Sequence, residues 1–269
     1  MKLYFQRFLF RILKISFSHA KILFLLTFLV CGCPLQTVVN HDYPLEKNPA
    51  SNTGFVAENE VLSAIAQIDI ITSDGYFPAK AALIIKKPSY LRLEMLPIIG
   101  TPDFFLAASP EKMSIFIPSK GKFYCGKPTG ANLKKFLPWK FDIEDIVMIF
   151  TGTYPSLKEN DISYQSYREK NSIRMEMKAR SGCSQIVWQR EDNRLLKIVR
   201  NDESGKEVYT VEYIYDDAKN SIPEKIIINM SEGITSLSVK FSDLKIEKAT
   251  DLSMFDLAVP SDIDAIPLD

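Results

Sequence analysis

Residues 79–124 read AKAALIIKKPSYLRLEMLPIIGTPDFFLAASPEKMSIFIPSKGKFY, four short runs of β pattern joined by tight turns. In the second run Leu91, Leu93 and Met95 alternate with charged residues. Side chains of a strand point alternately to opposite faces, so this run predicts a strand with one apolar face and one charged face. The stretch therefore predicts consecutive antiparallel hairpins.

The connector at residues 96–102 (LPIIGTP) is unusual for a turn. Turns mostly carry polar residues, because their backbone faces water. This one places Ile98 and Ile99 between Pro97 and Pro102. Two interpretations follow: the loop is tucked beneath another part of the protein, or it contacts an apolar partner.

The composition is that of a globular protein whose first 32 residues differ from the rest. The 269 residues are enough for one large β domain, with 46% hydrophobic and 25% charged residues. Residues 1–32 hold five basic residues and no acidic one, which leaves 28 basic and 33 acidic residues in the remainder. A mildly acidic domain argues against sequence-independent nucleic-acid binding, so we expect no nucleic-acid partner.

The N-terminal segment has the layout of a signal peptide. Residues 1–21 are basic and aromatic, and the apolar run 22–30 is shorter than the roughly 20 residues that span a bilayer. Cys31-Gly32-Cys33 follows, and the residues up to Cys33 resemble the bacterial lipoprotein box. We expect residues 1–32 to be the signal and Cys33 to be lipidated, with an uncleaved signal anchor as the alternative.

The position of the anchor follows from the next residue, by analogy with other lipoproteins. Pro34 is not the aspartate that commonly retains lipoproteins at the inner membrane. We therefore expect a lipid-anchored protein at the outer membrane, facing the periplasm. Residues 33–54, with three prolines between 34 and 53, predict a flexible tether, and residues 55–269 predict the folded domain.

The sequence of that domain predicts three helices, one before residue 124 and two after it. Val56–Ile65 predicts a short helix, followed by a first strand at Gln67–Thr72 and its turn at Ser73-Asp74-Gly75. Residues 131–137, closed by Pro138, and residues 142–150, capped by Asp142, predict two short apolar helices. We expect these two helices to cover a sheet as a lid, with apolar lid residues Leu133, Phe136, Leu137, Ile143, Ile146, Val147 and Phe150.

From residue 161 onward the chain alternates in short strands with turns about ten residues apart. We count about eleven strands in the domain, and a sheet that wide must curl or close. The fold class is therefore mainly β (α+β): a curled antiparallel sheet or incomplete β-barrel, whose apolar concave face is filled either by the helices or by a ligand. The residues expected to line this cavity are Leu91, Leu93, Met95, Ile115, Ile117, Met175 and Met177, although the methionines also fit an ordinary core.

The order of these segments resembles a known family. The strands through LRLEMLPIIGTPDFFLA, the helical pair GANLKKFLPWKFDIEDIVMIFTG and the final MFDLAVP are similar to the LolA/LolB-like lipoprotein carriers and receptors, nearest to the outer-membrane LolB type. The resemblance covers residues 57–260. It implies a helical lid over an apolar cavity for acyl chains, and a protruding loop at Pro97, Ile98 and Ile99 that helps deliver cargo to the membrane.

The resemblance also bears on partners. It implies acyl chains of lipoproteins or lipids as cargo, and a periplasmic carrier protein as a further partner. Strands at 161–170 and 192–197 do not align with the family, and no arginine of the carrier type can be assigned at the cavity mouth. These departures concern the identity of the cargo more than the fold.

Residues for covalent chemistry are scarce. The only histidines, His19 and His41, precede the folded domain, and the sequence contains no nucleophile elbow, P-loop or dinucleotide-binding glycine motif. We expect no catalytic residue, no cofactor and no metal site. Cys125 and Cys183 fit no metal pattern, and either a disulfide or two unpaired thiols is compatible with their spacing.

A carboxylate pair such as Glu144 and Asp145 fits the first turn of a helix better than an acid/base pair. The sequence therefore predicts a monomeric, non-enzymatic module that binds acyl chains and helps receive or insert lipoproteins or lipids. The alternative is a structural or assembly lipoprotein, whose core is filled by its own side chains and which binds a protein partner. For Trp188 the alternation leaves open which face of its strand is buried, and Trp139 is expected at the hinge of the lid.

Overall fold

The computed structural model describes residues 54–137, 141–216, 221–231 and 235–269. The predicted signal, Cys33, most of the tether and Trp139 lie outside the described residues, so these predictions stand as made.

The strands form one sheet of fourteen, in the order β14-β6-β5-β4-β3-β2-β1-β13-β12-β11-β10-β9-β8-β7. Neighbours are antiparallel, except that β14 runs parallel to β6. The edge strands β14 and β7 do not pair, so the curled sheet stays unclosed. The strands are β1 Glu60–Thr72, β2 Gly75–Lys86, β3 Tyr90–Leu96, β4 Phe105–Ala108, β5 Met113–Ile117, β6 Lys122–Gly126, β7 Ile162–Arg168, β8 Ile173–Ala179, β9 Ser184–Gln189, β10 Leu195–Asn201, β11 Glu207–Ile214, β12 Lys225–Met230, β13 Ser236–Lys248 and β14 Ala265–Pro267.

Strand β1 corrects the predicted helix at Val56–Ile65. Glu60–Thr72 is one continuous strand, paired along its length with β2 on one side and β13 on the other. Leu62, Ala64, Ala66 and Ile68 are buried, which is the two-residue period of a strand. The helical interpretation counted only the large apolar residues and overlooked the two alanines that complete the alternation.

The predicted count of about eleven strands is also too low. The described residues form fourteen strands, and the short strands explain part of the difference from eleven. Strand β14 has three residues, ends at Pro267 and has no apolar pattern, and β4 has only four residues. Elements this short carry almost no periodic signal, because two or three residues cannot establish a period.

The antiparallel hairpins predicted in the 79–124 stretch are present, but five strands, β2 to β6, share the stretch instead of the four predicted runs. Leu91 and Leu93 are buried on the concave side of β3, while Arg92 and Glu94 form an ion pair with an Nε–Oε1 distance of 2.8 Å on the other side. Thr72 pairs with Gly75, so the turn predicted at 73–75 is the β1–β2 hairpin.

Two helices lie in the described residues: α1, Gly130–Leu133, and α2, Ile143–Phe150. Helix α2 matches its prediction, but α1 is one turn long rather than two and ends at Leu133. The following residues are in turn conformation up to Leu137, which precedes Pro138.

The core lies between α2 and the concave face of the sheet. The ring of Phe150 meets Phe241 of β13 edge to face at a centroid distance of 6.1 Å. Phe141, just before α2, meets Tyr209 of β11 at 4.9 Å. Val187 of β9 is buried and Trp188 is half-buried, which decides the face that the sequence left open.

Candidate functional site

The predicted lid residues do cover the concave face. Leu133, Ile143, Ile146, Val147 and Phe150 are buried there, and Phe136 and Leu137 are partly buried against the same core. The predicted cavity residues belong to this core as well. Leu91, Leu93, Ile115, Met175 and Met177 are buried, and Met95 and Ile117 are half-buried. The predicted lid residues and the predicted cavity residues therefore belong to one hydrophobic core.

A buried hydroxyl ties the lid to the sheet. The Tyr213 hydroxyl of β11 donates a hydrogen bond to the carbonyl oxygen of Ile149 in α2 at 3.0 Å, and lies 3.4 Å from that of Thr153. Burial raises the pKa of Tyr213 well above its usual range, so it remains a donor. The Ile149 carbonyl also accepts from the backbone N–H of Gly152 at 3.2 Å, so the Tyr213 hydroxyl is a second donor at the C-terminal end of α2.

Asp142 connects the two helices rather than capping its own. The backbone N–H of Gly130, at the start of α1, donates to Asp142 Oδ1 at 2.5 Å, and the Lys158 ammonium donates to the other oxygen. The side chain of Asp142 makes no cap hydrogen bond to α2. The predicted cap is thus in the right place but bonds to α1 and to Lys158. A cleft of about 460 Å³ adjoins this junction.

Asp145 is the most perturbed carboxyl group of the lid. Burial raises its pKa, and this outweighs the attraction of Lys158 and Arg200. The Asp145 carboxylate accepts a hydrogen bond from the backbone of Asp142. Asp145 lies in the first turn of α2, where a negative charge interacts favourably with the helix N-terminus. Asp145 is therefore a buried carboxyl group that contributes to the structure of the lid.

The 96–102 loop is exposed. Relative side-chain exposure is 103% at Ile98 and 90% at Ile99, which excludes the interpretation that the loop is tucked under another element. Its base is nevertheless held firmly. The Met95 N–H donates to the Phe104 carbonyl oxygen at 3.0 Å, which closes the loop where β3 ends.

Asp103 fixes the far side of the loop. It accepts hydrogen bonds from the Ser119 hydroxyl at 2.5 Å and from the Ser119 backbone N–H at 2.6 Å. These bonds lower the pKa of Asp103. The loop therefore combines an anchored base with two fully solvated isoleucines, and Ser119 shows that the β5–β6 turn lies beside it.

A groove of about 840 Å³ opens beside the loop. This volume is within the range of roughly 300–1,000 Å³ typical of small-molecule sites. Met95 is the one predicted cavity residue among its lining, and Pro97 and Ile98 belong to the predicted loop; the sequence did not single out the other lining residues. The groove is lined by Gln67, Pro78, Ala79, Lys80, Met95, Leu96, Pro97, Ile98, Asp103, Phe104 and Ser242.

The other predicted features fall as follows. Cys125 and Cys183 are free thiols, and Cys125 Sγ lies 3.5 Å from the Ser114 hydroxyl. Within the described ranges, no group of three or more histidine, cysteine, aspartate or glutamate side chains is arranged to hold a metal ion. None of the helices in these ranges has the length and apolarity needed to cross a bilayer.

Solved structures share this arrangement of sheet and helices. A LolA-superfamily protein from Nitrosomonas europaea superposes with a TM-score of 0.52 at 14% identity, over 76% of this chain and 93% of its own. The fold is LolA-like. A putative outer membrane lipoprotein-sorting protein domain from Vibrio parahaemolyticus gives 0.53 at 13% identity, over 74% of this chain and 90% of its own.

A DUF1329 family protein from Desulfovibrio piger adds a third LolA-like match, with a TM-score of 0.55 at 14% identity over 74% of this chain and 90% of that chain. No protein-family model matches the sequence, and no curated protein matches it. At such identities the likeness concerns the fold alone. It agrees with the resemblance inferred from the order of the elements, and does not single out the LolB type.

Proposed function

We propose that this chain is an outer-membrane lipoprotein, anchored at Cys33, that binds acyl chains and helps receive or insert lipoproteins or lipids without covalent chemistry. The observation that carries the proposal is the pair Ile98 and Ile99, fully exposed on a loop with an anchored base beside an apolar groove. Isolated exposed apolar residues are ordinary, but two adjacent isoleucines at the tip of a turn favour contact with an apolar partner.

The energetics fit reversible contact with a membrane. Burying an isoleucine side chain contributes about 1.5–3 kcal/mol, so the loop alone gives weak binding. A lipidated Cys33 would supply the stable attachment, because stable anchoring takes more than one apolar signal. Membrane contact by the loop then serves transfer of cargo rather than retention of the protein.

The proposed exchange uses the interface between α2 and the sheet. The lid helices move away, and acyl chains replace them against the concave face. Each methylene buried there contributes about 0.8 kcal/mol, so a long chain offsets the lost helix contacts. The short α1 and the single eight-residue α2 make the lid a small unit compared with the sheet. A receptor of the LolB type would use this exchange to take cargo from a periplasmic carrier.

The test is transfer of a pyrene-labelled phospholipid from donor to acceptor vesicles by the full-length acylated protein. We expect the double variant Ile98→Asp, Ile99→Asp to keep the wild-type unfolding midpoint in urea and to lose transfer. Ile214→Asp, at an exposed apolar residue of β11, five strands from β3 in the sheet order, is the matched control and should transfer normally. Unchanged transfer by the double variant, or equal loss in the control, would contradict the proposal.

A second candidate is the assembly lipoprotein with a self-filled core, and the burial of Leu91, Met175 and Met177 favours it. Lipid analysis of the gently purified protein by mass spectrometry separates the two. Stoichiometric phospholipid, or a co-purifying acylated peptide, supports acyl binding. A lipid-free, thermally stable protein supports the scaffold.

A further inference from the structure

We infer that the tip of the β1–β2 hairpin is a second membrane-contacting element, acting together with the 96–102 loop. This rests on the proposed function, and it adds residues that the loop argument does not use. The residues of this tip are Ile71, Tyr76 and Phe77.

Topology places the two elements at the same end of the sheet. In the β2–β3 pair Lys80 is opposite Leu96, and the turn joining these strands lies at the other end, after Lys86. The residues of β2 that precede Lys80 and the loop residues that follow Leu96 therefore project from one end. The groove beside the loop has lining residues from both, including Pro78 of β2 and Ile98 of the loop.

The hairpin tip exposes more apolar surface than a turn requires. Relative exposure is 48% at Ile71, 58% at Tyr76 and 49% at Phe77, and Ile71 and Tyr76 are paired across the hairpin. The Tyr76 hydroxyl donates to Asp69 Oδ1 at 2.6 Å, so the polar end of the ring is satisfied within the protein. With Ile98 and Ile99, this makes five exposed large apolar side chains on two adjacent hairpin ends.

The chemistry of the surrounding surface favours a lipid bilayer as the occupant. Exposed Lys80, Lys120 and Lys122 lie beside the two apolar tips, where their ammonium groups can meet lipid phosphates. Two of the acids at this end, Asp69 and Asp103, already accept hydrogen bonds from Tyr76 and Ser119. Aromatic, aliphatic and lysine side chains together are typical of protein surfaces at the membrane interface.

The length of chain outside the described residues allows this orientation. The described chain begins at Gly54, near the start of β1, whereas the hairpin tip lies at the end of β1. The 13 residues of β1 span about 43 Å. The 21 residues from Cys33 to Gly54 reach at most about 70 Å, so an anchor at Cys33 permits the far end of the sheet to meet the same bilayer.

The experiment places a tryptophan at each tip of the full-length acylated protein in vesicles of phosphatidylcholine and phosphatidylglycerol. The variants are Phe77→Trp for the hairpin, Ile98→Trp for the loop and Ile214→Trp as the control on β11, five strands from β3 in the sheet order. The emission of the unmodified protein is subtracted, because Trp139 and Trp188 are native. We expect nitroxide-labelled lipids to quench the added emission at 77 and 98, and to leave it unchanged at 214.

Each outcome decides between specific alternatives. Quenching at 98 without quenching at 77 overturns the hairpin inference and leaves the proposed function standing, whereas no quenching at either overturns both. A blue-shifted but unquenched emission at 77 means that protein covers the tip, which also overturns the inference. Quenching at 214 means unspecific adsorption to the vesicles, and it also overturns the hairpin inference. If Phe77→Trp lowers the urea midpoint, Tyr76→Trp on the same tip replaces it.

Discussion

Two regions of this molecule contain the same residue type in opposite surroundings. In α2, Ile143, Ile146 and Ile149 are buried against the concave face of the sheet. In the 96–102 loop, Ile98 and Ile99 are almost completely solvated. Burial makes the first group a source of stability, since apolar area removed from water is the main favourable term of folding. The second group contributes almost nothing to folding, and is therefore available for contacts with another surface.

The largest effect on stability is expected from truncation in α2. Ile149→Ala removes a fully buried side chain and leaves a cavity, so the free energy of unfolding should fall by about 2–5 kcal/mol. Urea unfolding monitored by circular dichroism measures this loss. A loss below about 0.5 kcal/mol would mean that α2 is not part of the folded core, and the comparison would fail.

A smaller loss is expected when the link between lid and sheet is removed. Tyr213→Phe deletes the hydroxyl that donates to the Ile149 carbonyl. Because that carbonyl also accepts from the Gly152 N–H at 3.2 Å, the variant loses one hydrogen bond, which contributes about 0.5–1.5 kcal/mol. The control is Tyr164→Phe on the edge strand β7, where the side chain is exposed and little change is expected. The same urea measurement checks both; equal effects would show that the hydroxyl bond does not hold the lid.

The pH dependence of stability tests the burial of Asp145. Its pKa is raised in the folded protein, so its contribution is fully present below the unfolded pKa of about 3.9 and is lost as the pH rises through the folded pKa. Compared with Asp145→Asn, the wild type should therefore lose stability as the pH rises from about 4 through the folded pKa of Asp145. Parallel profiles for the two proteins would refute the raised pKa.

The smallest effect on stability is expected in the loop. Ile98→Ser and Ile99→Ser should change the free energy of unfolding by no more than about 0.5 kcal/mol, because both side chains are already in water. Thermal unfolding of the double variant measures this. A clear decrease would show that the loop packs against the domain in solution, and would remove the contrast with α2.

Local patterns predicted much of the fold. The turn at 73–75, the alternation of Leu91 and Leu93, and the length of α2 were all correct, because each depends on residues near in sequence. Strand β1 was mistaken for a helix over part of its length. The alternation of apolar residues continues through Ala64 and Ala66, but alanine is too small to mark a buried face clearly, and the partner β13 begins only at Ser236.

The sequence likewise predicted some residues of the candidate site and missed others. The sequence singled out Ile98 and Ile99 as apolar residues in a turn, but could not decide whether they were tucked in or exposed. It did not single out Ile71, Tyr76 and Phe77, because apolar and aromatic residues at the end of a strand look ordinary. Their significance comes from the adjacent hairpin, which is a matter of register between β2 and β3.

By itself, the sequence determined the mainly β class, the position of the lid helices and the apolar character of the loop, since period and turn chemistry are local properties. Only the tertiary structure decided that Met175 and Met177 lie in a filled core, that Asp142 joins α1 to Lys158, and that two apolar hairpin ends meet at one end of the sheet. These features depend on how distant strands pair and on which surfaces the pairing leaves in water, and residue type alone specifies neither.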